Sequence, residues 1–187
     1  IGLRELIKET GYKNIDSTMV SFGIAPRINA CGRMGKAEEA LRLFLTESKE
    51  EASEITKRLN TYNLQRQEKE KIIFEQSMKE LEKENLEELN SIVLAGENWH
   101  HGVIGIVASR ISEKFFKPTI LIGIEENEGK GSGRSIPGFD LHEALVESSN
   151  FLKKYGGHEM AVGLSLEKDK IIEFKKYFEK IVIEKNI

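Results

Sequence analysis

Apolar residues recur at helical spacing from Ala37 to Leu45, and the opening Ile1-Gly2-Leu3-Arg4-Glu5-Leu6-Ile7 has the texture of a helix interior. Residues 49–89 contain no Pro or Gly and are rich in Glu, Lys and Gln. Within them Ala52, Ile55, Leu59, Tyr62, Ile73, Met78 and Leu81 fall at helical spacing, which predicts one long helix. At 1.5 Å per residue its length would be about 60 Å. Its middle, Asn63 to Lys71, is nearly all polar, as expected of a stretch that bridges two bodies instead of packing inside one.

From Ser91 the pattern changes to short apolar runs separated by turn residues. Ile92-Val93-Leu94-Ala95 predicts a buried strand, Val103 to Phe116 a helix stopped by Pro118, and Thr119-Ile120-Leu121-Ile122 a second strand. Lys130 to Ile136 predicts a third strand after a Glu/Asn/Gly turn. Asp140 is placed to cap a helix running to about Phe151. Met160 to Leu166 predicts a further strand and Lys168 to Ile183 a closing helix. The fold class is therefore α/β: a small mixed sheet of four or five strands with flanking helices over residues 90–187, preceded by a connector helix over 49–89 and a mixed segment over 1–48.

Composition fits a globular chain, with 39% hydrophobic and 32% charged residues. No apolar run reaches the roughly 18 residues a membrane span needs, and no signal peptide is recognised. Cys31 is the single cysteine, which leaves no intrachain disulfide and makes a reduced, cytoplasmic setting the expectation. The chain opens on Ile1, in what has the texture of a helix interior, as expected of an excised or processed piece. Net charge is −3, and residues 49–88 alone hold 11 glutamates against 8 lysines and arginines. The negative excess thus belongs to the connector, and the rest can carry local basic patches.

Four segments can carry chemistry. Ala25-Pro26-Arg27-Ile28-Asn29-Ala30-Cys31-Gly32-Arg33-Met34-Gly35 has the composition of an irregular loop in which Arg27 and Arg33 flank Asn29. Guanidinium groups suit forked hydrogen bonding to phosphate, and an amide adds a donor and an acceptor; the same arginines could instead pair with acidic neighbours. Trp99-His100-His101-Gly102 links a strand to a helix start, where free N–H groups favour anions. The adjacent histidines diverge in direction and lack a further ligand at helical offset, so they predict no metal site.

The third segment is Gly131-Ser132-Gly133-Arg134-Ser135, where hydroxyls, a guanidinium and exposed N–H groups could grip a phosphate backbone; a plain hairpin edge is the alternative. The fourth, Gly156-Gly157-His158-Glu159-Met160-Ala161-Val162-Gly163, has the texture of a glycine loop that presents one histidine at a tight turn. Asp16, Asp140 and Asp169 are the whole set of aspartates, and none adjoins a histidine. The carboxylate and histidine cage of a two-metal phosphodiesterase therefore cannot be assembled from this chain.

Taken in order, "APRINACGRMG", "WHHGVIGIVASR", "GSGRS" and "GGHEMAVG" resemble the RecJ-like exonucleases of the DHH phosphoesterase superfamily, from about Val20 to about Leu166. The resemblance implies a 5′→3′ exonuclease that hydrolyses single-stranded DNA with Mn²⁺ or Mg²⁺ in recombination and repair, with single-stranded DNA as partner, other repair proteins as a further class, and no membrane. It implies that residues 1–48 are the tail of the catalytic domain, 49–89 the connector and 90–187 the DHH-associated domain, with the metal ligands on a part this chain lacks. Arg27, Asn29 and Arg33 then resemble the loop beside the active cleft. Ser132, Arg134 and Ser135 resemble a grip on the DNA backbone, with His100 as a further contact. His158, supported by Gly156 and Gly157, resembles the catalytic histidine that reaches the scissile phosphate. Two other readings stay open: a phosphodiesterase of short oligonucleotides or cyclic dinucleotides, and a noncatalytic RNA-binding module.

Overall fold

The computed structural model describes residues 1–185 and divides into two compact units, Ile1–Lys69 and Glu70 onward. The first unit is helical. It holds α1 (Gly2–Thr10), a π-helical turn over Met19–Ile24, α2 (Ala25–Arg33), α3 (Ala37–Leu45) and the first part of α4 (Lys49–Leu81). Ser48 starts α4 by accepting the Glu51 N–H at 3.2 Å, an N-cap made by a hydroxyl. Leu6, Met19, Ile24, Cys31, Leu43, Ala52, Ile55 and Leu59 close the core of this unit.

The segment expected to be a loop between Ala25 and Gly35 is helix α2 up to Arg33. Pro26 stands in the first turn, where its missing N–H costs nothing. Ile24, Ile28 and Cys31 form a helical face toward the core, and burial of that face outweighs the single Gly32. Only Gly35, at φ 70°, makes the turn. Burial pushes the Cys31 thiol up to about 11, and its Sγ lies 3.5 Å from the Arg27 carbonyl, so it is a packed side chain.

α4 is one continuous helix, and the division between the units falls inside its polar middle. It ends at Leu81, short of residue 89, where Lys83 and Glu84 bond back to the carbonyls of Glu80 and Leu81 in tighter turns.

The second unit adds β1 (Ile92–Glu97), α5 (His101–Phe115), β2 (Thr119–Glu125), β3 (Glu128–Arg134), α6 (Leu141–Glu147), β4 (Lys154–His158), β5 (Ala161–Glu167) and α7 (Ile171–Glu184). The strand order is β1-β2-β3-β5-β4. β1 and β2 are parallel, joined by the α5 crossover, and the other pairs are antiparallel. Asp140 caps α6 as its position predicts, accepting the Glu143 N–H at 2.9 Å. That helix stops at Glu147, with a separate short turn over Ser149–Phe151.

β4 is the strand that sequence texture hides. Gly156-Gly157-His158 has the composition of a loop; it is instead the outer arm of a hairpin closed by Glu159-Met160. Gly157 sits at φ 142°, and a Cβ there would lie 2.3 Å from the Ala161 carbonyl oxygen, so the pairing itself demands glycine.

Each face of the sheet has its own core. Ile120, Ile122, Val162, Leu164 and Leu166 pack against Phe139, Leu141, Phe174 and Phe178. On the other face Ile92, Leu94 and Leu121 pack against Trp99, Val103, Ile104, Val107 and Ile111, together with Ile73 and Leu81. Each such side chain contributes about 1.5–3 kcal/mol on full burial. On this second face α5 packs on β2 and β3, while Lys154, His158 and Gly163 on β4 and β5 are exposed.

Candidate nucleic-acid interface

The antiparallel register decides what meets on the open part of the sheet. Residues directly opposite one another share a face, and the face repeats every second residue. Arg134 pairs with Ala161 and Ala161 with His158, so these three form one row. Ser132, Gly163 and Gly156 form the next row, and Lys130, Ser165 and Lys154 the one after. β5 is the floor, and β3 and β4 are the banks, about 10 Å apart across two strand spacings.

The floor is low. A Cβ on Gly156 would meet nothing within 4 Å, and one on Gly163 only the Gly131 carbonyl oxygen at 4.0 Å. Gly131 and Gly133 belong to the other face and serve a different purpose. A Cβ on Gly133 would stand 2.7 Å from Val162 Cγ2 and 2.9 Å from Leu141 Cδ2, so these glycines make room for core side chains.

Arg134 is half-buried and held. Its Nη1 donates to Ser132 Oγ at 3.1 Å and to the Gly133 carbonyl at 2.7 Å. From the other side, Gly105 of α5 lets the helix come down onto the pair. Ser135 is buried and its hydroxyl donates to the Phe139 carbonyl at 2.7 Å, so it shapes the turn after β3. That turn is tied to the hairpin: the Ser135 N–H donates to the Met160 carbonyl and the Leu141 N–H to the Glu159 carbonyl, both at 3.0 Å. The third and fourth motifs are therefore one construction.

The tryptophan segment supports α5. Trp99 is buried, and its Nε1 donates to Gln76 Oε1 at 2.6 Å. Gly96 and Gly123, paired across β1 and β2, leave space for its ring and its carbonyl. His100 is the N-cap of α5, with Nδ1 accepting the Gly102 N–H at 3.2 Å. Contrary to the expected divergence, the His100 and His101 rings stack with centroids 5.1 Å apart, the cap turning the first ring back over the second.

The arginine segment lies in the other unit. Arg27 is half-buried, with Nε on Asn60 Oδ1 at 3.1 Å and Nη1 on the Gly23 carbonyl at 2.7 Å, so it ties α2 to α4. Asn29 and Arg33 are exposed and lie one helical turn apart on the same side of α2. Composition suggests a loop presenting all three residues; the helix separates Arg27 from the other two.

Among the described residues no group of three or more His, Cys, Asp or Glu side chains could hold a metal ion. No described helix is long and apolar enough to cross a membrane. The register also puts Lys130 and Lys154 on this face, continuing the alternations Lys130-Ser132-Arg134 and Lys154-Gly156-His158, the second of which has meaning only once the stretch is a strand.

The DHHA1 domain model matches residues 88–184. The chain is 36% identical over 185 residues to the single-stranded-DNA-specific exonuclease RecJ of Bacillus subtilis, a match covering 97% of this chain and 23% of that protein. The crystal structure of RecJ from Thermus thermophilus in complex with Mg²⁺ superposes with a TM-score of 0.86 at 35% identity, covering 98% of this chain and 28% of that one. The Mn²⁺ complex of RecJ from the same organism superposes with a TM-score of 0.86 at 37% identity, covering 98% and 27%. The chain thus spans about a quarter to a third of the length of the curated RecJ relatives it matches.

Proposed function

Since this chain belongs to the DHHA1 domain family, we propose that it is the phosphate-gripping part of a single-stranded-DNA exonuclease that hydrolyses phosphodiester bonds 5′→3′ with Mn²⁺ or Mg²⁺ in repair and recombination. Residues 1–48 are then the tail of the catalytic domain, 49–89 the connector and 90–187 the associated domain. The observation that carries this reading is the register that sets Arg134 and His158 in one row on an open sheet face with glycine beside it. A guanidinium on one bank and an imidazole on the other suit a phosphodiester lying between them.

In this reading Ser132 and Arg134 hold a phosphate, Gly156 keeps the floor clear, Gly157 closes the hairpin and Ser135 anchors its turn. His158 is the catalytic group that reaches the scissile phosphate region. His100 contributes by capping α5. Asn29 and Arg33 are further phosphate contacts, with Arg27 holding their helix. In the first unit Ile15, Phe22 and Leu45 are 74%, 71% and 70% exposed, apolar surface that in this reading the body of the catalytic domain covers. In this reading the ions are held by other parts of the enzyme, and this chain contributes phosphate contacts and the His158 imidazole.

The test is binding and cleavage by the chain itself. It should bind single-stranded DNA in a salt-dependent way. Arg134→Ala should weaken binding and flatten the salt dependence by about 0.7 for each phosphate no longer neutralised. With Mn²⁺ added the chain should leave the DNA intact. An unchanged salt slope in the variant, or robust degradation by the pure chain, would overturn the assignment.

A further inference from the structure

We infer that the interface is a track for several consecutive phosphates, in which Lys130 and Lys154 form a second cationic gate beyond the Arg134–His158 row, and that it grips the strand without reading its bases. The inference rests on the phosphate-binding reading of Arg134 and extends it along the strands.

The register places the two lysines. Lys130 and Lys154 are both opposite Ser165 on β5, so both stand in the row two pleat repeats from Arg134 and His158. Tyr155, the neighbour of Lys154, contacts His142 of α6, which fixes the intervening side chain on the opposite face and leaves Lys154 on the open one. Four residues of strand separate the two gates, about 13 Å. Each row is about 6.8 Å from the next, close to the separation of successive phosphates in an extended single strand. The middle row carries Ser132, whose hydroxyl accepts from Arg134 and stands between the first gate and the second.

Charge sets the limits of the track. Glu128 and Glu167 face one another in the row after Lys130, and Glu125 pairs with Glu128, so a polyanion cannot continue in that direction. Lys130 is 3.9 Å from Glu125 with both side chains about half exposed, a contact too weak to withhold the ammonium from a phosphate. At the other end, beyond Arg134, a cleft of about 370 Å³ opens toward Phe116, Pro137 and Met160. Between the gates the strands carry glycine and serine on this face and no aromatic side chain on which a base could stack, whereas sequence-tolerant binders that use bases need such platforms. Recognition along this stretch is therefore of backbone phosphates.

The experiment is an NMR titration of this chain with thymidine 5′-monophosphate and with 5′-phosphorylated tetramers, one of thymidines and one of abasic residues. Both tetramers should bind alike, and at least tenfold more tightly than the mononucleotide. The double variant Lys130→Ala/Lys154→Ala should lose five- to tenfold in tetramer affinity with a salt slope lower by about 1.4, and retain mononucleotide binding. Glu125→Gln should strengthen tetramer binding about twofold. Lys176→Ala/Lys180→Ala on α7 removes the same charge and should change little. Equal losses in the two double variants, equal affinity for mononucleotide and tetramer, or a marked preference for the base-bearing tetramer would each overturn the track. If Arg134→Ala leaves every probe unaffected, the underlying phosphate site is wrong as well.

Discussion

Gly105 lies so close to Arg134 that a Cβ on it would stand 3.0 Å from the guanidinium Nη2, and 2.9 Å from Ser132 Oγ. A glycine inside a helix ordinarily costs about 1 kcal/mol relative to alanine. Here it holds open the place where a guanidinium and a hydroxyl rest. The helix gives up propensity, and the neighbouring strand keeps the geometry of the Ser132 hydroxyl and the Arg134 guanidinium.

Gly105→Ala should therefore separate stability from binding. The clash falls on the far ends of Ser132 and Arg134, which can move, while the helix gains propensity. The melting temperature should stay level or rise, and single-stranded DNA affinity should fall several-fold. Thermal unfolding and a DNA titration on the same sample check both halves.

Two glycines of the same sheet should respond in opposite ways. Gly163→Val places its branches in open space on the floor, so the fold should persist while DNA binding drops at least tenfold. Gly133→Val drives its Cβ into Val162 and Leu141 and should cost about 1–3 kcal/mol through overpacking. Urea midpoints of the two variants should differ clearly, with the larger loss at Gly133.

Glu179 joins α7 to the start of β1. Its carboxylate accepts the Asn90 N–H at 2.7 Å, the Asn90 side-chain amide at 3.1 Å, the Ser91 N–H at 2.8 Å and the Ser91 hydroxyl. Burial alone would raise its pKa, but the hydrogen bonds from Ser91 and Asn90 outweigh it and hold the carboxyl below its ordinary 4.5. A depressed folded-state value contributes stability above the unfolded pKa and loses it as pH falls through the folded one. Glu179→Gln should thus be less stable than the parent at neutral pH by about 1–3 kcal/mol. The gap should narrow as acid takes the pH below the carboxylate range, which urea unfolding at both pH values measures.

His100 supplies the N-cap of α5 through Nδ1. His100→Ala should cost about 1 kcal/mol, while His100→Asn, which keeps an acceptor at the cap, should recover most of it. Equal destabilisation by both variants, seen in chemical denaturation, would show that the ring does more than cap.

Periodicity carried much of the fold. Ala37–Leu45 is the helix its apolar spacing predicts, and Ile92, Thr119 and Ala161 begin strands where short apolar runs predict them. The failures share a cause. Arg27, Gly32 and Arg33 have loop composition but sit on a helix, because Ile24, Ile28 and Cys31 bury one side of it. Gly156 and Gly157 have loop composition but form a strand, because hydrogen bonding to β5 supplies what their missing side chains cannot.

The α/β alternation, the polar break in the long helix and the suitability of Ser132, Arg134 and His158 for phosphate are all legible in the linear order of residues. Which of those side chains share a face is not. Side-chain direction in a sheet depends on register, and register is a relation between segments far apart in the chain. Arg134, Ala161 and His158 form one row because β3 and β4 both pair with β5, and no local spacing encodes that meeting.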